Sequence, residues 1–414
     1  MNGPNVANAS ATFDLSPVIN NVSLSLYGAA SSMQPEGNFL LSPISILYSA
    51  VLIYLGARGS SRDNLYSALD FHEFSKSGSN DDIAGAFSQL MSNLKLAARS
   101  NSTTKVTTKK DRNTGNQKYQ FQLALANGAF LRQGLVADQN YLATVNGNLK
   151  AAIATKDFIG HPDQARQDIN KWTAERTGGH ITDLFPPGSI DSNAVAVLAN
   201  AIYFKSRWEQ IFDKDDTESE AVFYLLNNET TTVDMMHMSI SLERWNYVED
   251  TELDIQYVEV PYYEKEASML IFLPKQNDGL RSLEKRLAAK DIHKLAEKAA
   301  QNPKLVSLSL PKFKVDSGFD MVDMLKTIGV SDIFMENADL SGMVPDGQVY
   351  VGKAFHKTVI DVDEEGTEAA AASGSVTQLR RMVYPVAFLA DHPFMYAIRH
   401  NPSKAILFIG RFEK

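Results

Sequence analysis

Two adjacent arginines, Arg380 and Arg381, lie near the end of the 414-residue chain, in a segment that combines two chemical properties. An exposed Arg-Arg pair is a cleavage site for a trypsin-like protease, whose specificity pocket holds a guanidinium against a carboxylate. An acidic run at 363–365 and a stretch of mostly small residues at 366–375 precede the pair. Small side chains can enter a packed space that large ones cannot. The segment therefore has the properties of a protease substrate that moves into a packed part of the protein after it is cut.

Alternation in the small-residue stretch is compatible with burial as a β-strand, in which every second side chain faces the core. The inward set would be Thr367, Ala369, Ala371 and Ser373, and the outward set Glu368, Ala370, Ala372 and Gly374. The inward side chains are all small and uncharged, and a charge at Thr367 would cost several kcal/mol on burial. Taken alone, the alanine run is equally compatible with a helix-prone or low-complexity tract.

Composition limits the other possibilities. A chain with 44% hydrophobic and 21% charged residues is globular, and its net charge of -9 argues against nucleic acid as the main partner. The absence of cysteine excludes disulfides, zinc-thiolate sites and a cysteine nucleophile. Residues 1–13 lack an apolar signal core, so the protein is either made without a signal or present in a mature form. The most apolar region, 39–57, is interrupted by Pro43, and we expect no membrane span.

Motifs of enzymes are missing from the sequence. We find no Gly-x-Ser-x-Gly, His-Glu-x-x-His, phosphate-binding glycine loop or dinucleotide fingerprint. The eight histidines show no metal-ligand spacing, and His237 is interpreted as a core or surface residue. We therefore predict that the protein is not an enzyme and uses neither a cofactor nor a metal.

The elements that must position the arginine segment follow from apolar periodicity. Helices are predicted at 15–30, 43–55, 63–69, 81–97, 163–177, 280–298 and 318–328. Strands are predicted at 119–130, 194–204, 255–261, 268–273, 305–310, 383–389, 394–399 and 405–412. Helices in the first half and strands in the second predict an α+β fold, read as one large domain over residues 1–414. Residues 99–118 lose periodicity and are predicted to form a basic polar insertion.

Several stretches, in order from about residue 38 to the end, resemble the serpin family. The first is Asn-Phe-Leu-Leu-Ser-Pro-Ile-Ser at 38–45, and Leu-Ala-Asn-Ala-Ile-Tyr-Phe-Lys at 198–205, followed by Trp208, is particularly specific. Others lie at 55–59, 169–173, 178–181, 308–315, 338–342, 356–368, 392–394 and 408–411. The resemblance implies a serpin fold of about nine helices and three β-sheets, with an exposed reactive-centre loop at about 364–385.

The resemblance also implies a mechanism. In this family a protease attacks the loop and forms an acyl-enzyme, and the loop then inserts into the main sheet and distorts the protease. The expected activity is irreversible suicide-substrate inhibition of a trypsin-like serine protease, through a covalent complex. Family spacing places the cut after Arg380, with Arg381 as the alternative. The implied hinge consists of Glu364, Glu365, Gly366, Thr367, Glu368, Ala369, Ala370, Ala371, Ala372 and Ser373.

The same resemblance implies roles for several residues beneath the main sheet. Ser42, Ser45, Asn200 and His356 match the family's shutter, where the sheet must part. Hydroxyls, an amide and an imidazole can exchange hydrogen bonds as strands separate, so that no polar group is left without a partner. Trp208 matches the breach, at the top of the sheet where insertion begins. Ordinary core packing is the alternative for both His356 and Trp208.

A basic cluster is this chain's own feature. Its members are Lys95, Arg99, Lys105, Lys109, Lys110, Arg112 and Lys118. Lys95 and Arg99 are spaced to share one helix face, and several serpins bind heparin-like glycosaminoglycans near this helix. The cluster therefore predicts glycosaminoglycan binding that weakens with salt, with a solvated loop as the alternative.

A second function stays open, that of a non-inhibitory serpin acting as a binding or carrier protein. Bulky or charged inward hinge residues would favour it, and they are absent. In either case we expect a monomer. We expect it to be extracellular if the sequence is a mature form, and the alternative is a cytoplasmic protein made without a signal.

Overall fold

The computed structural model describes residues 15–73, 75, 77–94, 122–227, 229–366 and 384–414. Within these ranges the helices are α1 (Ser16–Met33), α2 (Pro43–Gly56), α3 (Gly59–Ala68), α4 (Asn80–Asn93), α5 (Gln139–Thr144), α6 (Pro162–Arg176), α7 (Leu280–Arg286), α8 (Ala289–Gln301) and α9 (Met321–Thr327). The strands are β1 (Phe39–Leu41), β2 (Gln122–Arg132), β3 (Ala152–Lys156), β4 (Ala196–Lys205), β5 (Glu218–Tyr224), β6 (Thr230–Met238), β7 (Tyr247–Asp250), β8 (Ile255–Pro261), β9 (Ala267–Pro274), β10 (Val306–Pro311), β11 (Phe313–Asp320), β12 (Val351–Val362), β13 (Val386–Leu389), β14 (Phe394–His400) and β15 (Ile406–Phe412).

Three sheets organise these strands. The five-stranded main sheet has the order β11-β12-β4-β2-β3, a six-stranded sheet has the order β1-β15-β14-β9-β8-β7, and a four-stranded sheet has the order β13-β10-β6-β5. The predicted α+β fold of about nine helices and three sheets is confirmed. None of the helices in the described ranges is both long and apolar enough to cross a lipid bilayer.

The core lies on both faces of the main sheet. The inner face of the main sheet packs on α2 and on the six-stranded sheet. Every residue of α2 is buried. The outer face of the main sheet carries a smaller apolar cluster that includes Phe130, Ile169 and Phe185 and is covered by α6. β4, buried at every position, contributes to both clusters, because its side chains alternate between the two faces.

The centre of the main sheet contains a parallel junction, which we call the seam. β12 and β4 lie side by side and run in the same direction, with Ala354 opposite Leu198 and Val359 opposite Tyr203. Their outer neighbours, β11 and β2, pair with them antiparallel. A chain that turned back at the end of β12 could enter the seam and pair antiparallel with both strands. Antiparallel pairing is slightly more stable per residue than the parallel pairing that it would replace.

Two predicted helices differ from the structure. The helix predicted at 280–298 is divided into α7 and α8, because Ala288 is extended and its N–H donates to the Asp291 carboxylate at 3.0 Å, which starts a new helix. The helix predicted at 318–328 begins only at Met321. Asp320 caps that helix by accepting from the N–H of Val322 at 2.8 Å, and the residues before it complete β11.

Candidate functional site

The chain reverses direction immediately after β12, in the hinge turn (residues 363–366). The N–H of Asp363 donates to the carbonyl of Gly366 at 2.9 Å, and the N–H of Gly366 donates back to the carbonyl of Asp363 at 3.2 Å. Gly366 has a φ of +120°, and a Cβ there would lie 2.4 Å from the carbonyl oxygen of Ser206. Only glycine fits this close approach to the chain that follows β4.

Trp208 holds the hinge turn at the top of the seam. Its indole Nε1 donates to the carbonyl of Asp363 at 2.9 Å, and its backbone N–H donates to the carbonyl of Glu365 at 3.0 Å. The ring is fully buried and stacks on Tyr262, with 4.4 Å between ring centroids. Trp208 is therefore part of the core and contacts the hinge turn, and its role in the breach stays a prediction.

Two hinge glutamates are fixed by ion pairs that the sequence did not indicate. Glu364 accepts from Lys312 at 3.0 Å and from Thr217 at 3.0 Å, and Glu365 pairs with Lys214 at 2.8 Å. Burial by itself would raise the pKa of Glu364. The hydrogen bonds from its own backbone N–H, Lys312 and Thr217 outweigh burial and hold that pKa below its usual value. Glu364 therefore remains charged at neutral pH.

The four predicted shutter residues form one buried network. The N–H of Ser42 donates to Nε2 of His356 at 2.9 Å, and His356 Nδ1 lies 2.5 Å from Oδ1 of Asn200. The Ser45 hydroxyl donates to the same Asn200 oxygen at 2.9 Å. All four residues are completely buried. The structure thus brings together residues that are more than 300 positions apart in sequence, Ser42 and His356 being separated by 314.

The proton on His356 can be placed from its partners. A backbone N–H can only donate, so Nε2 accepts, and the amide oxygen of Asn200 can only accept, so Nδ1 carries the proton. Burial lowers the pKa of His356 to about 3, which keeps the ring neutral. His356 and Asn200 are opposite each other on β12 and β4. Their hydrogen bond therefore crosses the seam.

Two further residues belong to this buried network, and sequence reasoning missed both; the shutter role of the network stays a prediction. Ser49 accepts from Nδ2 of Asn200 at 2.8 Å, and Oδ1 of Asn127 lies 3.1 Å from the Ser45 hydroxyl, which shares its single proton between Asn127 and Asn200. Ser49 could have been found, because it lies four residues after Ser45 on the same face of α2. Asn127 could not, since its place depends on the register that sets it opposite Asn200.

The remaining predicted site residues lie outside the described residues. They are Thr367, Glu368, Ala369, Ala370, Ala371, Ala372 and Ser373 of the hinge, Arg380 and Arg381 of the reactive bond, and Lys95, Arg99, Lys105, Lys109, Lys110, Arg112 and Lys118 of the basic cluster. The described chain stops at Gly366, before the predicted reactive bond, and resumes at Tyr384, after it.

Comparison with known proteins extends the similarity over nearly the whole chain. The serpin (serine protease inhibitor) family model matches residues 17–414. Leukocyte elastase inhibitor of Bos taurus is 33% identical over 403 residues, 96% of this chain and 99% of that protein. Serpin B6 of Pongo abelii is 33% identical over 91% of this chain and 93% of its own length.

Solved structures give the same result. Serpin48 of the insect Tenebrio molitor, described as a highly specific serpin, superposes with a TM-score of 0.78 at 28% identity, covering 96% of this chain and 97% of that one. Human thyroxine-binding globulin superposes with a TM-score of 0.80 at 25% identity, covering 97% and 98%.

Proposed function

The chain belongs to the serpin (serine protease inhibitor) family, and on that premise we propose that it is an irreversible suicide-substrate inhibitor of trypsin-like serine proteases, cleaved after Arg380. The observation that carries the proposal is a preformed turn at the top of the seam, followed in sequence by small, uncharged inward residues. Insertion after cleavage would add a strand to the main sheet and hold the acylated protease at the far end.

The register of the inserted strand follows from two bridges at the hinge turn. Gly366 is opposite Arg207 on one side and opposite Asp363 on the other, both antiparallel. Continuing either register places position 371 in the row of Thr358 and Ile202, and position 373 in the row of His356 and Asn200. β12 and β4 already pair these same residues with each other. One new strand can therefore satisfy both neighbours without a shift.

This register supports the inward set from the sequence. Position 369 would lie between Ile360 and Phe204, and position 371 between Thr358 and Ile202, all of which are completely buried. A large or charged residue there would have to displace packed core side chains or lose its hydration. Ala369 and Ala371 avoid both costs, which is what an inhibitor requires and a carrier does not.

Ser373 would enter the shutter itself. Its row separates His356 from Asn200, so their mutual hydrogen bond must break on insertion. A serine hydroxyl can accept from Nδ1–H of His356 and donate to Oδ1 of Asn200. The hydrogen bond would be replaced and not lost, so neither Nδ1 of His356 nor Oδ1 of Asn200 would be left unpaired.

Arginine at position 380 supports the trypsin-like target class. The relative named leukocyte elastase inhibitor has, by its name, a different target, and an elastase-type specificity pocket is too small for arginine. A guanidinium at this position is favoured by a pocket with a buried carboxylate. Arg381 remains the alternative, one residue further along.

The test is incubation with trypsin, followed by denaturing gel electrophoresis and intact mass. We expect a band at the summed mass that survives boiling in detergent, and a released C-terminal peptide that begins at Arg381. Clean cleavage without that band would contradict the proposal. Heating the cleaved protein then separates the alternatives, because an inhibitor becomes much more heat-stable on cleavage, whereas a binding or carrier protein need not.

The basic cluster carries a second candidate function, heparin-like glycosaminoglycan binding, and an extracellular site of action belongs to the same proposal. Several cations in an acidic chain would bind sulfates by salt-sensitive contacts. We expect Lys109→Gln with Lys110→Gln to elute from immobilised heparin at lower salt than the wild type. The matched control is Lys290→Gln with Lys294→Gln on α8, which should elute as the wild type does. If both double variants elute at the same salt concentration, glycosaminoglycan binding by the basic cluster is contradicted.

A further inference from the structure

A cavity of about 340 Å³ opens between the start of α4, the start of α5 and the loop that precedes β12. The cavity lies beyond the end of β2 that is remote from the hinge turn, because β2 begins opposite Lys205 and leads to α5. Its volume falls at the lower end of the range for small-molecule sites, about 300–1,000 Å³. The polar side chains of its wall include Arg58, Asn80, Asp81, Asp138, Asn140 and Thr144.

Arg58 is held in place in this wall. Its Nη1 donates to the carbonyl oxygen of Ala57 at 2.7 Å and to that of Leu55 at 3.2 Å. The guanidinium packs against Gly342, where a Cβ would come within 2.2 Å of the guanidinium carbon. The two carbonyl partners are neutral, so they do not cancel the positive charge of Arg58. A bound anion could accept from its remaining N–H groups, since a guanidinium has five.

Asn80 is fixed beside Arg58 by the same carbonyl oxygen. Its Nδ2 donates to the carbonyl of Leu55 at 3.1 Å, so the two side chains meet at one atom. Because a carbonyl can only accept, the amide group of Asn80 cannot be turned round. Its Oδ1 is buried and has no hydrogen-bond donor within the described part of the chain. An ammonium group bound beside Asn80 would supply the donor that this oxygen lacks.

Two carboxylates share the wall with Arg58. Asp81 is exposed in the first turn of α4. Asp138 is half-buried, and its Oδ1 accepts from the N–H of Tyr141 at 2.9 Å. Its own N–H donates to the carbonyl of Met343 at 2.8 Å, which ties it to the loop before β12. The wall therefore carries one positive and two negative charges.

We propose that this cavity binds a free basic amino acid, that is, an α-amino acid whose side chain ends in a cation. The ligand carboxylate would accept from Arg58, and the α-ammonium group would donate to Oδ1 of Asn80. The side-chain cation would lie beside Asp81 and Asp138. One negative and two positive charges on the ligand complement the charges of the wall group by group. This site goes beyond the proposed function and does not depend on it.

Other occupants match the wall less well. An anion alone would meet two carboxylates, and a cation alone would meet the guanidinium of Arg58. A divalent metal would also need several acidic or histidine ligands. In the ranges that the structure describes, no three such side chains lie close enough together to hold a metal ion.

The measurement is isothermal titration calorimetry of the uncleaved full chain with L-lysine at low salt. We expect one site per chain with a dissociation constant of about 1 mM or below, as charge-assisted contacts to a ligand of this size allow. Two analogues separate the contacts without changing the protein. Cadaverine lacks the carboxylate and should bind at least about tenfold more weakly. L-norleucine lacks the side-chain cation and should bind about three- to tenfold more weakly.

Two variants test the wall itself. Arg58→Gln should weaken lysine binding at least about tenfold, because it removes the charge that holds the carboxylate. Asp81→Asn should weaken it about threefold, since an exposed carboxylate contributes less. Asp81 lies at the surface, so this variant keeps the test valid if Arg58→Gln does not fold. The matched control is Asp323→Asn, which removes an exposed carboxylate from the first turn of α9 and should bind lysine as the wild type does.

Three results would overturn the site. The first is no heat of binding with lysine at about 10 mM, tenfold above the expected dissociation constant. The second is cadaverine binding as tightly as lysine, which would mean that Arg58 does not hold a carboxylate. The third is equal affinity of Asp81→Asn and Asp323→Asn, which would mean that lysine binds elsewhere or responds only to net charge. Each of these results leaves the proposed function untouched, because no protease takes part in the measurement.

Discussion

Replacing Thr367 by arginine is expected to convert the protein from an inhibitor of trypsin into a substrate. The register of the hinge turn places position 367 between Val362 and Ser206, which are 0% and 1% exposed. A guanidinium in that row would cost several kcal/mol on burial, so insertion would slow while hydrolysis of the acyl-enzyme continued. The number of inhibitor molecules consumed per trypsin should rise at least about tenfold, since a loss of 1.4 kcal/mol already changes a rate ratio by that factor.

The matched control for Thr367→Arg is Glu368→Arg. Position 368 falls on the other face of the sheet, between the exposed residue Asp361 and Lys205, which is 9% exposed. The same guanidinium one residue later, here in place of a carboxylate, should leave trapping nearly intact. Full trapping by Thr367→Arg, or equal losses in the two variants, would mean that the strand does not enter the seam in the register given by Gly366.

Replacing Arg380 by alanine is expected to lower the rate constant for inhibition of trypsin by more than a hundredfold. The specificity pocket of trypsin recognises a cation through a buried carboxylate, and that charge-assisted contact contributes several kcal/mol. The measurement is the second-order rate constant, with the mass of the released peptide as the record of where the cut occurs.

Arg381→Ala is the control for Arg380→Ala, because it removes the same charge one residue away. It should keep most of the rate, since its side chain lies on the other side of the scissile bond. If Arg381→Ala loses inhibition and Arg380→Ala keeps it, the reactive bond lies one residue later than proposed. If both variants inhibit as the wild type does, neither arginine is the specificity residue.

The fold could be predicted where local patterns are strong. The continuous apolar run at 194–204 predicted β4, which is buried throughout, and Pro43 after Ser42 predicted the start of α2. The division between α7 and α8 could not be predicted in this way. Leu287 continues the apolar pattern, and the break depends on a capping contact between Asp291 and Ala288.

The site shows the same division between local and long-range information. The polar residue types of the shutter were recognisable from short motifs, but the proton position on His356 required knowledge of both its partners. The ion pairs of Glu364 and Glu365 could not be predicted from the sequence, because Lys312 and Lys214 come from distant segments that meet only in the folded chain. The assignment of Arg380 and Arg381 to the reactive bond is based on the sequence and on family spacing alone.

The bridge between Gly366 and Arg207 has a kinetic consequence. Adding a strand to a sheet is usually limited by nucleation, because the entropy of loop closure is lost before any contact is gained. Here the first pair of the new strand and the turn behind it already exist in the uncleaved protein. Under the proposed mechanism, an attached protease therefore competes with strand propagation alone. The yield of trapped protease would depend on how fast the seam opens, and hardly at all on how the strand begins.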